Sequence, residues 1–195
     1  MQILKIALLL FCNQVIAQDF IEKIDGTKIN VVEGSIKVEP ASNRLSYSTP
    51  NEEKRSRIKY KNLSKAVYKD NVMQTFDVKG KRRAFFILAD ADGKKLGVLP
   101  TKRSVSKGGF EVPYKRYEFV IADKNDKVVE SLIFTDVNSP QHISLRNQAS
   151  ELISQHFADC PNLIERLKTF ENSDTNIENG QVLEMLDNPY HMSCK

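Results

Sequence analysis

The central part of the chain, residues 84–136, contains two stretches in which apolar runs and turn residues follow each other in the order of β-hairpins. The predicted strands and turns are residues 85–89, 92–93 and 95–99 in the first hairpin, and 114–122, 123–126 and 128–134 in the second. Asp combined with Gly or Asn occupies both turns, and these residues tolerate the positive φ angles of tight hairpins. The connection between the hairpins, residues 101–112, is rich in Ser, Lys and Gly and predicts a mobile loop.

Shorter strands are predicted before these hairpins, because brief apolar segments alternate there with polar turns. They cover residues 20–24, 28–32, 36–39, 45–47, 66–68 and 72–78, and the first four are expected to form a meander. A further strand, residues 57–61, alternates strictly. Arg57, Lys59 and Lys61 face one side of this strand, whereas Ile58 and Tyr60 face the other. The pattern predicts a half-buried strand with a basic outer face.

After Asp136 the spacing of apolar residues changes to the intervals of three and four that are typical of helices. Ser139-Pro140 predicts the start of the first helix, because Ser is a good N-cap and Pro fits the first turn. A second helix is predicted from about Asp159, and a third covers residues 177–186. The apolar faces of the first two helices are predicted to contain Leu145, Ala149, Leu152, Ile153, His156 or Phe157, and Leu163, Ile164, Leu167 and Phe170.

Strands followed by helices indicate an α+β fold, in which C-terminal helices pack against an N-terminal antiparallel β-meander or sheet. We expect a single domain over residues 18–195, mainly β over 18–136 and mainly α over 137–195. Hydrophobic residues make up 41% of the chain and charged residues 28%, which is ordinary for a soluble globular protein.

The N-terminus predicts a secretory signal peptide, residues 1–17. A lysine precedes the short apolar run 6–11, and a Val-Ile-Ala sequence ending at Ala17 permits cleavage before Gln18. The apolar run is much shorter than the roughly 20 residues that span a bilayer, and we expect no transmembrane segment after cleavage. A lipoprotein signal at Cys12 is disfavoured by the bulky Phe before it. The protein is therefore expected to be secreted or periplasmic.

Charge is unevenly distributed along the chain. Residues 18–149 contain 25 basic and 17 acidic side chains, whereas residues 151–195 contain 3 basic and 8 acidic ones. The two regions can be solvated surfaces that attract each other weakly, or the basic region can meet a polyanion such as an anionic glycan or nucleic acid. Tyr60 lies within the basic run 54–61, but its predicted inward orientation argues against base stacking and so against nucleic-acid binding.

Five short motifs are spread over most of the chain after the signal peptide. They are DGTKI at 25–29, EGSIKV at 33–38, LIFTD at 132–136, HFADCP at 156–161, and NPY at 188–190 together with Cys194. In these motifs the chain resembles uncharacterised secreted proteins of flavobacterial type, a family of unknown function. The resemblance brings no activity, cofactor or site residue with it.

Two cysteines remain after signal cleavage, Cys160 and Cys194. An even number of cysteines in an oxidising compartment predicts a disulfide, which here would tie the C-terminal tail to the start of the second helix. The alternative is a zinc site formed by His156, Cys160, His191 and Cys194. Their spacing differs from the usual zinc-binding pairs, so the disulfide is favoured and no metal is expected.

The sequence contains neither a Gly-x-Ser-x-Gly nucleophile motif nor a glycine-rich phosphate loop, and we predict no catalytic or cofactor-binding residue. The favoured hypothesis is a binding or interaction module whose partner is an envelope or extracellular protein or an anionic glycan. Two alternatives stay open: an enzyme whose site assembles only in the fold, and a β-sheet carrier of a small apolar ligand. Buried carboxylates or histidines in a cleft would favour the enzyme, and a large interior pocket would favour the carrier.

Overall fold

The structure is a computed structural model that describes residues 19–69, 71–171, 180–187 and 189–194. The described strands are β1 (Phe20–Lys23), β2 (Lys28–Asn30), β3 (Lys37–Glu39), β4 (Arg44–Tyr47), β5 (Ser56–Lys59), β6 (Leu63–Tyr68), β7 (Asn71–Val78), β8 (Lys81–Ala91), β9 (Lys94–Lys107), β10 (Phe110–Ala122), β11 (Val128–Thr135) and β12 (Met192–Ser193). The described α-helices are α1 (Pro140–His156), α2 (Pro161–Glu171) and α3 (Gly180–Asp187). The predicted α+β class is confirmed in this broad sense, with antiparallel strands in the majority.

Most strands belong to one large sheet, whose order is β11-β10-β9-β8-β7-β6-β1-β2. Neighbours along this path are antiparallel, and the two predicted central hairpins are present as β8–β9 and β10–β11. The short strand β12 is parallel to β8 and pairs with it at Ala89 and Asp90. β7 pairs with β8 only as far as Phe86. Beyond this point β12 pairs with β8 in its place.

The connection 101–112 is not a loop, so this prediction was wrong. β9 and β10 continue through it as a hairpin, and their register is unbroken from Thr101–Arg116 to Lys107–Phe110. The turn is Gly108-Gly109, whose φ angles of 61° and 84° match the two left-handed positions of a tight hairpin turn. The Ser- and Lys-rich composition concealed these strands because both of their faces are exposed to solvent.

The predicted N-terminal meander is divided between two sheets. β1 and β2 join the large sheet through β6, whereas β3, β4 and β5 form a separate three-stranded sheet. The buried carboxylate of Asp19 helps to fix the first strands, because it accepts hydrogen bonds from the backbone N–H groups of Gly34 and Lys69 at 2.9 and 3.0 Å. These bonds join residues 15 and 50 positions apart, which a local sequence pattern does not reveal.

Two core clusters use different sets of residues from the large sheet. The first contains Val120 together with residues of the small sheet, such as Leu45 and Ile58. The second contains the neighbouring Phe119 and Ile121 together with apolar residues of all three helices. Successive strand residues point to opposite sheet faces, so β10 contributes to both clusters. The helix residues in the second cluster are Ala149, Ile153, Leu163, Leu167, Val182, Met185 and Leu186.

Close approach of the strands explains a glycine in the middle of β9. A Cβ atom at Gly97 would lie 2.9 Å from the Val120 side chain and 3.0 Å from that of Phe85. Val120 and Phe85 are both buried, so neither side chain can withdraw into solvent. Gly97 is therefore required by packing and not by a special backbone angle.

The first helix begins as predicted. Ser139 is its N-cap and accepts a hydrogen bond from the backbone N–H of His142, while Pro140 occupies the first turn. Helix α2 starts at Pro161, and α3 begins at Gly180, which leaves residues 177–179 of the predicted third helix outside the described residues. The side chain of Phe170 is likewise outside the described part.

The predicted signal peptide, including Ala17 and Gln18, lies outside the described residues. None of the helices described is both long and apolar enough to cross a membrane.

Candidate anion-binding site

A concave pocket of about 840 Å³ lies where the β1–β2 turn approaches the small sheet. Its wall is formed by the β1–β2 turn, strands β4 and β5, and the short 3-10 turn Tyr60–Asn62 that follows β5. The residues that line it are Lys23, Ile24, Asp25, Tyr47, Arg57, Ile58, Lys59, Lys61 and Asn62. We call this group the basic pocket.

Backbone hydrogen bonds hold the two sides of the basic pocket together. The N–H of Ile24 donates to the carbonyl of Asn62 at 3.1 Å, which fixes the β1–β2 turn beside the 3-10 turn. Within the β1–β2 turn, the N–H of Lys23 donates to Thr27 at 2.9 Å. Lys23 is thereby placed on the same concave surface as Lys61, although the two residues are far apart in sequence.

The basic residues of β5 face the pocket because their apolar neighbours face the core. Ile58 and Tyr60 are buried, whereas Arg57, Lys59 and Lys61 are exposed, as the alternation predicts. The strand itself is shorter than predicted and ends at Lys59, where the 3-10 turn begins. Burial raises the pKa of Tyr60 well above its ordinary value, so this phenol stays neutral.

The pocket has an excess of positive charge. Four cations line it, Lys23, Arg57, Lys59 and Lys61, against one carboxylate, Asp25. None of the four cations forms a salt bridge with any residue that the structure describes. The pKa of Asp25 is lowered, chiefly by its hydrogen bonds with Thr27, so this carboxylate is ionised and is already engaged within its own turn.

Apolar surface adjoins the charged rim. Ile24 is 52% exposed and provides most of this surface. Tyr47 and Ile58 are almost completely buried and add only a small exposed part of their side chains. Burial, and to a lesser degree the nearby Glu52, raises the pKa of Tyr47, so its hydroxyl is protonated at neutral pH. The pocket therefore combines cationic groups at its rim with apolar contact surface, an arrangement suited to a ligand that has both anionic groups and a carbon skeleton.

Cys160 and Cys194 form the predicted disulfide. The sulfur atoms of Cys160 and Cys194 are bonded, and their Cα atoms are 4.4 Å apart. Both sulfurs are consumed by this bond, so the zinc alternative with His156 and His191 loses two of its four ligands. Among the described residues, no group of three or more His, Cys, Asp or Glu side chains could hold a metal ion.

Two polar clusters elsewhere on the large sheet were not predicted from the sequence. Glu118 of β10 is buried and accepts hydrogen bonds from Arg83 at 2.5 Å and from Arg116 at 2.9 Å. Asp187, the last residue of α3, accepts hydrogen bonds from the Tyr117 hydroxyl at 2.6 Å and from Lys115 at 2.5 Å. Each carboxylate is matched by its own donors, so the first cluster links β8 to β10 across β9, and the second links α3 to β10.

A small cavity on the large sheet bears on the carrier hypothesis. It lies between the end of β7 and strand β11, and its wall includes Val78, Phe85 and Ile133. Its volume is about 120 Å³. Pockets for drug-sized ligands usually measure about 300–1,000 Å³, so this cavity is too small for such a ligand.

The chain was matched against protein-family models, curated proteins and solved structures. No family model, curated protein or solved structure matches it. The resemblance to secreted proteins of flavobacterial type therefore stays an expectation from sequence motifs.

Proposed function

We propose that this protein is a secreted or periplasmic binding module that holds an anionic glycan in the basic pocket. The supporting observation is that Lys23, Arg57, Lys59 and Lys61 surround one concavity without salt-bridge partners among the described residues. Clustered unpaired cations repel one another, and a bound polyanion relieves that repulsion. The disulfide favours an oxidising compartment, in agreement with the signal peptide that the N-terminus predicts.

A glycan fits the pocket better than a nucleic acid does. Single-stranded nucleic acids are held by exposed aromatic faces on which bases stack. Here Tyr60 is turned into the core and Tyr47 is almost completely buried, so neither ring offers such a face. Sulfate or carboxylate groups on a sugar chain need only the charged rim, and the sugar rings can contact the apolar surface of Ile24.

The three C-terminal helices have a supporting role in this proposal. We infer that they pack as a layer against the large sheet, because apolar residues from each helix belong to one cluster with Phe119 and Ile121 of β10. The basic pocket lies among residues of the other cluster, such as Tyr47 and Ile58. On this arrangement the helices stabilise the sheet and do not take part in the site.

Binding of a sulfated oligosaccharide, such as a heparin fragment, tests the proposal by calorimetric titration at several salt concentrations. The variant Arg57→Gln/Lys59→Gln/Lys61→Gln is expected to bind at least about tenfold more weakly, because three charged contacts are lost. The slope of log affinity against log salt concentration is also expected to decrease by about one for each contact removed.

The matched control is Lys81→Gln/Lys124→Gln/Lys127→Gln, in which three exposed lysines outside the pocket are neutralised. It changes the net charge by the same amount and is expected to keep most of the affinity. Equal losses in the two variants would mean that only the overall charge matters, and the pocket would then have no specific role.

A further inference from the structure

The hairpin formed by β9 and β10 extends beyond the core as a two-stranded ribbon. Every residue from 102 to 113 is exposed, whereas Thr101 at its base is buried. The ribbon ends in the Gly108-Gly109 turn. Its backbone is ordered by the same antiparallel register that continues from the core of the sheet.

The register divides the ribbon into two unlike faces. Directly paired residues of antiparallel strands point to the same side, and successive residues alternate. One face contains the pairs Lys107–Phe110, Val105–Val112 and Arg103–Tyr114. The other face contains the pairs Ser106–Glu111, Ser104–Pro113 and Lys102–Lys115. We call the first the amphipathic face of the ribbon.

Apolar exposure on the amphipathic face is largest at the tip. Phe110 is 77% exposed, Val105 53% and Val112 43%. Arg103 and Lys107 flank these side chains, and neither forms a salt bridge with a residue that the structure describes. Together these side chains form an exposed apolar patch rimmed by cations, and such patches often mark interaction surfaces.

We propose that the ribbon tip inserts into the surface of an anionic lipid bilayer. Phe110 and the two valines enter the boundary between headgroups and acyl chains, and Arg103 and Lys107 contact lipid phosphates. Long cationic side chains suit this position, because their aliphatic stems lie along apolar surface while the charge stays with the headgroups. The proposal concerns a surface distinct from the basic pocket and does not depend on glycan binding.

The shape of the ribbon favours a bilayer over a protein partner. A stable protein interface buries about 800 Å² on each partner, which a narrow, two-stranded tip with one apolar face does not readily provide. A bilayer accepts a convex tip and needs only a few apolar side chains, provided that cations add electrostatic attraction. The amphipathic face supplies both the apolar side chains and the cations that such binding requires.

Vesicle flotation tests the proposal with the purified protein and two lipid mixtures, pure phosphatidylcholine and phosphatidylcholine with roughly 30% phosphatidylglycerol. We expect binding to the anionic vesicles only. Phe110→Ser is expected to weaken that binding about tenfold or more, because the ring no longer leaves water. Arg103→Gln/Lys107→Gln is expected to weaken it about fivefold for each charge.

The control Lys124→Gln/Lys127→Gln neutralises two exposed lysines in the β10–β11 turn and is expected to retain binding. All of these variants change exposed residues, and circular dichroism verifies that each has folded. Comparing variants with an identical N-terminus separates the ribbon from any binding by the apolar segment 6–11.

The chain contains no tryptophan, so a single introduced tryptophan reports its own surroundings. Phe110→Trp is expected to show a blue-shifted emission on anionic vesicles and quenching by brominated acyl chains. Val129→Trp, at an exposed position on β11, is expected to show neither effect.

Three results would overturn the proposal. The first is an absence of binding to anionic vesicles, and the second is binding that Phe110→Ser leaves unchanged. The third is a concentration-dependent dimer, detected by sedimentation, that Phe110→Ser abolishes. That result would assign the amphipathic face to contact between two copies of the chain.

Discussion

Single residues determine which side chains reach the basic pocket. Ile58 is anchored in the core, and its alternation with the exposed Arg57 and Lys59 along β5 turns these two cations to one side, while Lys61 follows in the 3-10 turn. This part of the site could be predicted from the sequence, because the strand pattern is local. Lys23 could not be assigned to it, since its position depends on the hydrogen bond between Ile24 and Asn62.

At the same scale, Gly97→Ala is expected to destabilise the protein. The added methyl group would lie within 3.0 Å of the buried side chains of Val120 and Phe85. Overpacking of this kind usually lowers the free energy of unfolding by about 1–3 kcal/mol. Chemical denaturation measures the loss, with Ser104→Ala on the exposed ribbon as a control that is expected to cost less than about 0.5 kcal/mol. Equal stability of Gly97→Ala and wild type would show that the sheet is more loosely packed at this position than its geometry indicates.

At the scale of whole elements, the hairpins and helix starts follow from local signals. The turn at Asp92-Gly93 and the N-cap at Ser139 are both present as the sequence predicts. The β9–β10 ribbon was missed for a physical reason. Both faces of the ribbon are exposed, and its Ser-, Lys- and Gly-rich composition outweighed the short alternation of Phe110, Val112 and Tyr114 in β10.

The disulfide joins the start of α2 to the end of β12. Cys160 directly precedes α2 and Cys194 directly follows β12, so the bond holds β12 against β8. Closing a loop across 34 residues stabilises the folded state by roughly 3–4 kcal/mol in the chain-entropy description. Reduction, or Cys160→Ser/Cys194→Ser, is therefore expected to lower the melting temperature.

Amide hydrogen exchange shows which element loses protection when the disulfide is reduced. Faster exchange is expected at residues 189–194, while the amides shared by β8 and β9 remain protected by their own ladder. Unchanged exchange at the tail after reduction would mean that the burial of Met192 alone holds β12 in place.

At the scale of the whole molecule, the sequence predicted the strand-rich first part and the helical last part. It did not predict the division into two sheets, because pairings such as β1 with β6 join residues at least 40 positions apart. The same limit applies to the basic pocket, which the β1–β2 turn and the small sheet form together. The uneven charge along the chain left a solvated surface and an anionic partner as alternatives, and the fold concentrates part of that charge at one concavity.

On our proposal, the basic pocket binds an anionic glycan through its four cations. Backbone amide chemical shifts, followed during titration of the labelled protein with a heparin oligosaccharide, test it most directly. The largest shifts are predicted at residues 23–25, 47 and 57–62, and they should saturate with one binding constant. Shifts that are weak and spread evenly over the basic surface, or that are largest outside the pocket, would contradict the claim.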